Sequence, residues 1–480
     1  MIRLSFHGAA ETVTGSKYLL EADGAGGAGT VSVLIDCGLF QGLKDLRLRN
    51  WAPLPFRPAT VKAVVLTHAH IDHVGYLPRF VKDGFAGPVY CTPATESLAE
   101  LILLDAAKNQ EEEASYLFRK GLSKHSPPRA LFEASDVKRT MKRLHSVHRD
   151  EWFKLAGPIF ARYHDVGHLL GASMLEVEVR NGARPTRILF SGDVGRYDAP
   201  LYFDPAVPPE CDYLICESTY GDRDHPVVDV SEQLCEVVLA AIQRGGVMLV
   251  ASFAVGRAQQ LIYLLQILME HKRIPEIPIF LDSPMAVSGM NIYRYYADEQ
   301  DLAEAISAPG YKFDLRHVHL TPSVGESKQI NSVKGPAVII SSSGMMTGGR
   351  ILHHLRQRLP DPHNTVVLGG FMAEGTRGRA LQQGSRTLRV LGAEVPVRAA
   401  VVEMSSLSGH ADRSELLRWL GPLAAPRQVF LTHGEKPSAT ALAEELSRTR
   451  GWNTVVPRMG QSFELEIGTD SAPAAAAGKP

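Results

Sequence analysis

Between Val61 and Gly75 the chain reads VKAVVLTHAHIDHVG, and within six positions it places His68, His70, Asp72 and His73. Histidine and carboxylate together form a donor set for zinc or a similar ion. A catalytic zinc takes three protein ligands and keeps one position open, so this loop offers more donors than one ion needs. Two ions sharing it is the better inference. A merely solvated histidine-rich loop is the alternative, and it accounts poorly for so many donors directly behind an apolar run. Further candidates lie far along the chain: Asp36 in LIDCG, His168 in DVGHLLGAS, Asp193 in SGD, Glu217 in CESTYG, His410 in SSLSGHAD and His433 in LTHGE. Asp36 reads either as a turn former or as an acceptor orienting a ligand histidine or water. His168 and Asp193 supply what a two-metal site still lacks, one more imidazole and a bridging carboxylate.

The elements that must position these groups are short apolar strands. Val61–Leu66, broken only by Lys62, is Val-rich and too short for a helix, as in a buried parallel strand. Ile2–Phe6, Lys17–Glu21 and Val31–Ile35, with a Gly-rich turn at Gly24–Gly29, suggest an antiparallel start to a sheet. Ile159–Tyr163 and Ser173–Val179 flank the loop of His168. Ile188–Phe190, Tyr213–Cys216 and Gln428–Leu431 run into Asp193, Glu217 and His433. If these strands share a sheet, their ends converge at the carboxyl edge, where open α/β sheets bind ligands. Ala94–Lys120, with Glu111–Glu113 as a solvated face, and Ser135–Leu144 read as helices. His145 and His148 read as surface residues, because no buried strand presents them. Beyond Tyr213 the rhythm becomes a regular β/α alternation. Helices over Ser231–Arg244, Gly256–Lys272 and Met285–Ala297 are interleaved with strands Val247–Ala251, Ile277–Leu281, Ala337–Ser341 and Thr365–Leu368. That is the pattern of a doubly wound parallel unit. Val397–Val402 reads as a strand, Asp412–Leu420 and Pro437–Arg448 as helices, and the Ala/Pro/Gly-rich tail Asp470–Pro480 as disordered.

Two loops, Phe253–Arg257 (FAVGR) and Ser341–Arg350 (SSSGMMTGGR, with Ser343 and Gly344), stand at helix starts, where free N–H groups attract phosphates. Ordinary turn formation explains each as well. Arg257, Arg350, Arg377 and Lys328 are candidate phosphate contacts, ordinary surface charge being the equal reading. The 480 residues are 45% hydrophobic and 21% charged, as in an ordinary globular protein. A net charge of −1 excludes a globally basic nucleic-acid binder and leaves room only for a local groove. Five scattered cysteines without a C-x-x-C pair fit buried thiols in a reducing compartment. The sequence MIRLSFHG has no secretion-signal core, and no apolar run approaches the ~18 residues of a membrane span. A cytoplasmic protein with no membrane contact is expected.

With these residues in view, the chain resembles the metallo-β-lactamase superfamily in LIDCG, THAHIDH, VGHLLGAS and SGD, and its β-CASP branch of nucleic-acid processing nucleases in CESTYG, SGHAD and LTHGE. The likeness covers nearly the whole chain. FAVGRAQQL, SSSGMMTGGR and FMAEGTRGR are similar to bacterial relatives of the endonuclease subunit of the pre-mRNA 3′-end cleavage factor. The resemblance implies an α/β fold: an αββα sandwich with an inserted β-CASP domain of parallel β/α type. Residues 1–209 would begin the sandwich, 210–395 form the insert, 396–468 complete the sandwich and 469–480 form the tail, with a nucleic-acid groove between the two domains. It implies two Zn2+ ions, one on His68, His70 and His168, the other on Asp72, His73 and His433, bridged by Asp193, with shared water as nucleophile. His410 would donate the proton to the leaving 3′-oxygen or bind the scissile phosphate, Glu217 would hold that imidazole protonated, and Asp72 belongs with them to the catalytic set.

A histidine at position 433 resembles the RNA-processing members, where DNA-repair members carry an aliphatic residue. The expected activity is therefore a zinc-dependent ribonuclease acting on single-stranded RNA, endonucleolytic, leaving 5′-phosphate and 3′-hydroxyl ends. The absence of a ribonuclease J-type C-terminal extension makes an exonuclease of that architecture less expected. A DNA nuclease, a 5′–3′ exoribonuclease of the same branch and a small-molecule metallo-hydrolase are the alternatives. A homodimer is possible.

Overall fold

The computed structural model describes residues 1–24, 29–121, 129–226, 228–302, 315–370, 372, 375–404 and 407–468. The expected tail, 469–480, and most of the Gly-rich turn, residues 25–28, lie outside them. The chain divides into two compact units, Met1–Tyr197 with Phe203–Asp224 and His410–Pro480, and Asp198–Tyr202 with His225–Gly409.

The first unit holds two seven-stranded sheets. One runs in the order Ser462–Leu465, Ile2–Phe6, Tyr18–Asp23, Thr30–Ile35, Val61–Val65, Val89–Cys91, Leu144–Ser146. Its pairings are antiparallel up to Thr30–Ile35 and parallel beyond. The other runs Thr454–Val455, Gln428–Thr432, Tyr213–Glu217, Thr186–Phe190, Ser173–Val179, Ile159–Asp165, Phe153–Ala156. Side chains alternate along each strand, so Val33, Ile35, Ala63 and Val65 meet Leu175, Ile188, Phe190, Ile215 and Phe430 in one core between the sheets. Leu34, Val64 and Val89 point the other way, into a core with Leu77, Phe80, Leu103 and Val137 of the covering helices. Helix Lys436–Arg450 packs on strand Gln428–Thr432 of the second sheet. The result is the expected αββα layering. Strands buried on both faces explain why the sequence shows continuous apolar runs there rather than alternation.

The second unit is a parallel six-stranded sheet in the order Val318–Leu320, Ile279–Leu281, Ala337–Ser341, Val247–Ala251, Thr365–Leu368, Ala400–Glu403. Chain connections leave strand Val247–Ala251 toward one edge and strand Ala337–Ser341 toward the other. The gap between those neighbours is therefore the topological switch point.

Three expectations shift. The units change at Asp224 and His410, where the sequence reading set 209 and 396. Tyr213–Glu217 pairs with Thr186–Phe190 and Gln428–Thr432 and stays with the first unit, while Ala400–Glu403 pairs with Thr365–Leu368 and stays with the second. The helix expected over Ser135–Leu144 ends at Met141, because Leu144–Ser146 joins the first sheet as its edge strand. His145 therefore does sit on a strand, yet exposed, as does His148 in the following loop. Among the described residues no helix is long and apolar enough to cross a membrane.

Candidate metal centre

Strand Val61–Val65 is buried except at Lys62 and passes through Leu66 and Thr67 into His68. His70 precedes the four-residue helix Ile71–Val74, which carries Asp72 and His73. Asp36 follows strand Thr30–Ile35, Asp193 follows Thr186–Phe190 by way of Ser191 and Gly192, and His433 follows Gln428–Thr432. Asp36 and His433 adopt left-handed backbone at φ 56° and 48°, a conformation uncommon for residues with a Cβ and held only where the surroundings dictate it. The chain beyond Asp36 lies directly against the ligand turn. A Cβ on Gly38 would stand 1.5 Å from the Asp72 carbonyl oxygen, so only glycine fits. Cys37 N–H donates to His73 O at 2.7 Å, Leu39 N–H to Ile71 O at 3.0 Å and Ser16 N–H to Asp72 O at 2.9 Å.

The ligand atoms converge in two sets that meet at Asp193. His70 Nδ1 is 3.0 Å from His68 Nε2 and 3.2 Å from His168 Nε2, and Asp193 Oδ2 is 3.3 Å from His68 Nε2 and 3.6 Å from His168 Nε2. In the other set His433 Nε2 is 3.2 Å from both His73 Nε2 and Asp72 Oδ2. Asp193 Oδ1 is 3.3 Å from His73 Nε2 and from His433 Nδ1. Atoms bound to one zinc at about 2.0–2.1 Å stand about 3.3 Å apart at the corners of a tetrahedron, so these spacings suit a metal. Asp193 Oδ1 is buried with no hydrogen-bond partner among the described residues, a costly state for a carboxylate that nothing coordinates. The donor set therefore fits a bound metal.

Two hydroxyls and a carboxylate decide which nitrogens keep their lone pairs. Thr67 N–H and Oγ1–H donate to Asp36 at 2.8 and 2.9 Å. The Asp36 carboxylate accepts from His73 Nδ1 at 2.8 Å, which fixes the proton there and leaves Nε2 open toward His433 and Asp193. Having donated to Asp36, Thr67 Oγ1 accepts from His68 Nδ1 at 3.1 Å and frees its Nε2. Thr219 repeats the device: its hydroxyl donates to His433 O at 2.9 Å, and its oxygen lies 3.2 Å from His433 Nδ1.

His410 stands beside the cluster. Its Nδ1 donates to Glu217 Oε1 at 3.2 Å and its Nε2 lies 3.9 Å from Asp193 Oδ2. Glu217 is itself held by Val194 N–H at 2.6 Å. Burial pulls the His410 imidazole down, but the Glu217 and Asp193 carboxylates outweigh it and hold the group up at about 10. Burial lowers His68 and His168, and takes His70 to about 3, leaving neutral imidazoles of the kind a metal binds. Asp193 is buried too, yet the surrounding His433, His73, His68 and His410 keep it well below the usual carboxylate range.

The sequence candidates thus separate. His68, His70, Asp72, His73, His168, Asp193, His433, His410, Glu217 and Asp36 come together. Arg257, Ser343, Gly344, Arg350 and Arg377 lie in the second unit, and its arginines are engaged by their own chain. Arg350 donates to Asp282 Oδ1, Thr321 O and Pro322 O at 2.8, 2.6 and 2.7 Å. Arg377 donates to Arg389 O at 2.8 Å, and Arg257 to Leu407 O at 3.2 Å. Lys328 is exposed. Thr67, Thr219 and Lys17 are the residues that sequence reasoning missed. Lys17 is buried between the rings of Phe40 and Tyr76, 4.6 and 4.8 Å from their centroids, and donates to the carbonyls of Gly15 and Gly38. Thr67 was detectable in principle as the hydroxyl preceding the ligand turn; a lysine inside GSKYLL carries no such signal.

Comparison with known sequences matches three stretches of the chain. Residues 18–227 match the metallo-beta-lactamase superfamily, 258–381 the Beta-Casp domain, and 394–457 the Zn-dependent metallo-hydrolase RNA specificity domain. The chain is 37% identical over 470 residues to ribonuclease TTHA0252 of Thermus thermophilus, covering 97% of this chain and 100% of that protein. It is 30% identical over 429 residues to the transcription termination factor FttA of Methanosarcina mazei, covering 86% of this chain and 65% of that protein. With FttA of Methanocaldococcus jannaschii it shares 29% over 475 residues, 95% of this chain and 70% of that one.

Proposed function

Since the chain belongs to the metallo-beta-lactamase superfamily, among its Beta-Casp RNA-processing nucleases, we propose that it is a two-zinc endoribonuclease cutting single-stranded RNA to 5′-phosphate and 3′-hydroxyl ends. Hydrolysis of RNA by a metal-dependent centre is the common ground of this family assignment and the ribonuclease relative. The observation that carries the finer reading is Asp193, whose two oxygens each face a separate set of ring nitrogens at 3.3–3.6 Å. One ion per set accounts for both oxygens; a single ion would leave one buried and unmet. The endonucleolytic direction is supported by the likeness to relatives of the pre-mRNA 3′-end cleavage endonuclease. A cytoplasmic setting suits the cysteines, all free and most of them buried.

Zinc held there supplies Lewis acidity, lowering the pKa of water toward neutrality and offsetting charge on the phosphoryl oxygens. His68, His70 and His168 would hold one ion and Asp72, His73 and His433 the other, with Asp193 offering one oxygen to each set. Asp36, Thr67 and Thr219 keep the ligand nitrogens deprotonated. As water attacks phosphorus and the bond to the 3′-oxygen breaks, that oxygen needs a proton. His410, with Nδ1 committed to Glu217, offers the one on Nε2. Arg257, Ser343 and Gly344 border the switch point of the second unit, a placement that supports a part in binding the RNA strand. Arg350 and Arg377 act there as staples that shape the loop.

The deciding experiment is digestion of end-labelled, unstructured RNA with and without chelator. Internal products that vanish with chelator are expected. Release of mononucleotides from one end sinks the endonuclease reading, and cleavage in chelator sinks the metal.

A further inference from the structure

One buried charge of the first unit has no part in the chemistry above. Lys17 is 1% exposed. Among the described residues it has no carboxylate partner, whereas Lys82 pairs with Asp136 and Lys436 with Glu11. Burying an ammonium with no acid beside it is unfavourable. Here that is offset by two carbonyls, Gly15 O at 3.2 Å and Gly38 O, which both accept from Nζ, and by the rings of Phe40 and Tyr76. Burial lowers the group to about 8, so at neutral pH it is still mostly an ammonium.

The two carbonyls belong to segments that brace one half of the metal centre. Residues 8–17 form a loop closed on itself: His7 N–H donates to Lys17 O at 2.9 Å and Ala9 N–H to Thr14 O at 3.1 Å. A Cβ on Gly8 would stand 1.6 Å from Gly15 O, so the turn is as tight as glycine allows. From this loop Ala9 O accepts from His433 N–H at 2.7 Å, Ser16 N–H donates to Asp72 O at 2.9 Å, and Ser16 Oγ lies 3.4 Å from His73 Nε2. All three contacts reach the second set of ligands. The loop meets the chain beyond Asp36 where Gly38 N–H donates to Ser16 O at 2.9 Å. Lys17 gathers the carbonyls beside that bond, one from each segment, onto a single cation.

We propose that Lys17 is a positioning residue for the ion of Asp72, His73 and His433: by clipping Gly15 O to Gly38 O it fixes the loop of residues 8–17, and with it the backbone of Asp72 and of His433, at the spacing that ion requires. The inference rests on the two-ion reading above and gives one of the ions a support of its own. Without the ammonium, two buried carbonyl oxygens lose their shared donor, and the loop is free to draw back from the ligand turn.

The test is zinc titration of the stripped full chain against a chromogenic chelator, read ion by ion. Lys17→Met nearly keeps the length of the side chain and removes its charge and donors. It is expected to weaken one of the two ions by roughly tenfold to a hundredfold, the range for outer partners of metal ligands. The other ion should stay within about twofold of wild type, as for an independent site. In a His433→Ala background, where the second set is already broken, Lys17→Met should shift the remaining ion by no more than about twofold. RNA cleavage by Lys17→Met should fall at limiting zinc and recover in excess zinc, which a general loss of structure would not allow. Should Lys17→Met fail to fold, Lys17→Gln, which retains an amide donor, takes its place, with a smaller loss at the same ion. Wild-type affinity for both ions, equal weakening of both, or a loss that persists in the His433→Ala background overturns the proposal and leaves the two-ion reading intact. A Lys17→Gln protein that also fails to fold overturns it too, making the residue a support of the whole fold. A wild-type protein that takes up a single zinc removes the two-ion reading and this proposal with it.

Discussion

Asp36→Asn puts the tautomer argument to its sharpest test, because it changes one atom and no volume. The carboxylate accepts three hydrogen bonds at 2.8–2.9 Å, from Thr67 N–H, the Thr67 hydroxyl and His73 Nδ1. An amide has one acceptor oxygen. If that oxygen keeps the Thr67 N–H, the NH2 group faces His73 Nδ1, where two donors cannot coexist. The hydroxyl can rotate to accept; the imidazole can only move its proton to Nε2, the atom 3.2 Å from His433 Nε2 and 3.3 Å from Asp193 Oδ1. The ligand nitrogen is then blocked. Losing a hydrogen bond to a charged group costs about 1.5–3 kcal/mol, roughly ten- to a hundred-and-fifty-fold in affinity. That overlaps the tenfold to hundredfold usual for such outer partners of metal ligands. The Asp72, His73 and His433 set should suffer most, because the rotated Thr67 oxygen, with two lone pairs, can still accept from His68 Nδ1. Titration with a chromogenic zinc chelator should find one ion weakened by that factor and the other within about threefold of wild type. Equal weakening of both ions, or of neither, refutes the reasoning.

Other outcomes follow from the same coordinates. His410→Ala should keep the wild-type zinc content by elemental analysis yet cleave RNA about a hundredfold or more slowly, as for loss of a general acid; Glu217→Gln should slow it in the same direction, and normal cleavage by either removes the proton-donor role. Chelation should lower the melting temperature of the first unit, since buried Asp193 loses the cations that balance it, and zinc should restore it. Gly38→Ala should lose zinc even if folded, because the new Cβ would stand 1.5 Å from the Asp72 carbonyl oxygen. In the second unit, Asp282 is fully buried and accepts from Arg350, His354, Ser327 and Thr321. Burial pushes its carboxyl up, but the bonds from His354, Ser327 and Arg350 outweigh that and hold it below its usual value. A depressed acid stabilises the fold above its unfolded pKa, near 3.9, and that stability is lost as pH falls through the lower folded value. Asp282→Asn should therefore cost about 3–5 kcal/mol at neutral pH and progressively less below about pH 4, measured by urea unfolding.

The ligands were legible because each is a polar interruption at the end of an apolar strand, a contrast that survives in one dimension. THAHIDH, SGD and LTHGE announce themselves that way, and the sandwich follows from strands that must meet for such ends to meet. The helpers were not legible. Thr67 and Thr219 matter through the direction of one hydroxyl, which depends on a carboxylate or carbonyl distant in sequence. Arg350 and Arg377 in Gly-rich loops look alike whether they face a ligand or brace their own backbone; carbonyls such as Pro322 O and Arg389 O, which leave no mark in sequence, decide it. The edge strand Leu144–Ser146 leaves no mark in the sequence, where the helix reads on to Leu144, because three residues set no period and only the neighbour Val89–Cys91 makes it a strand.

The order in which the ribosome delivers these pieces has a consequence. Strand Gln428–Thr432 sits inside the second sheet, between Tyr213–Glu217 and Thr454–Val455, so that layer stays open until this strand has been made. Everything from His225 to Gly409 emerges and can fold before the last ligand exists. A chain that stops short of His433 would carry six of the seven residues proposed to hold metal and lack the last. A ribonuclease of this topology would gain its centre only once that strand closes the sheet.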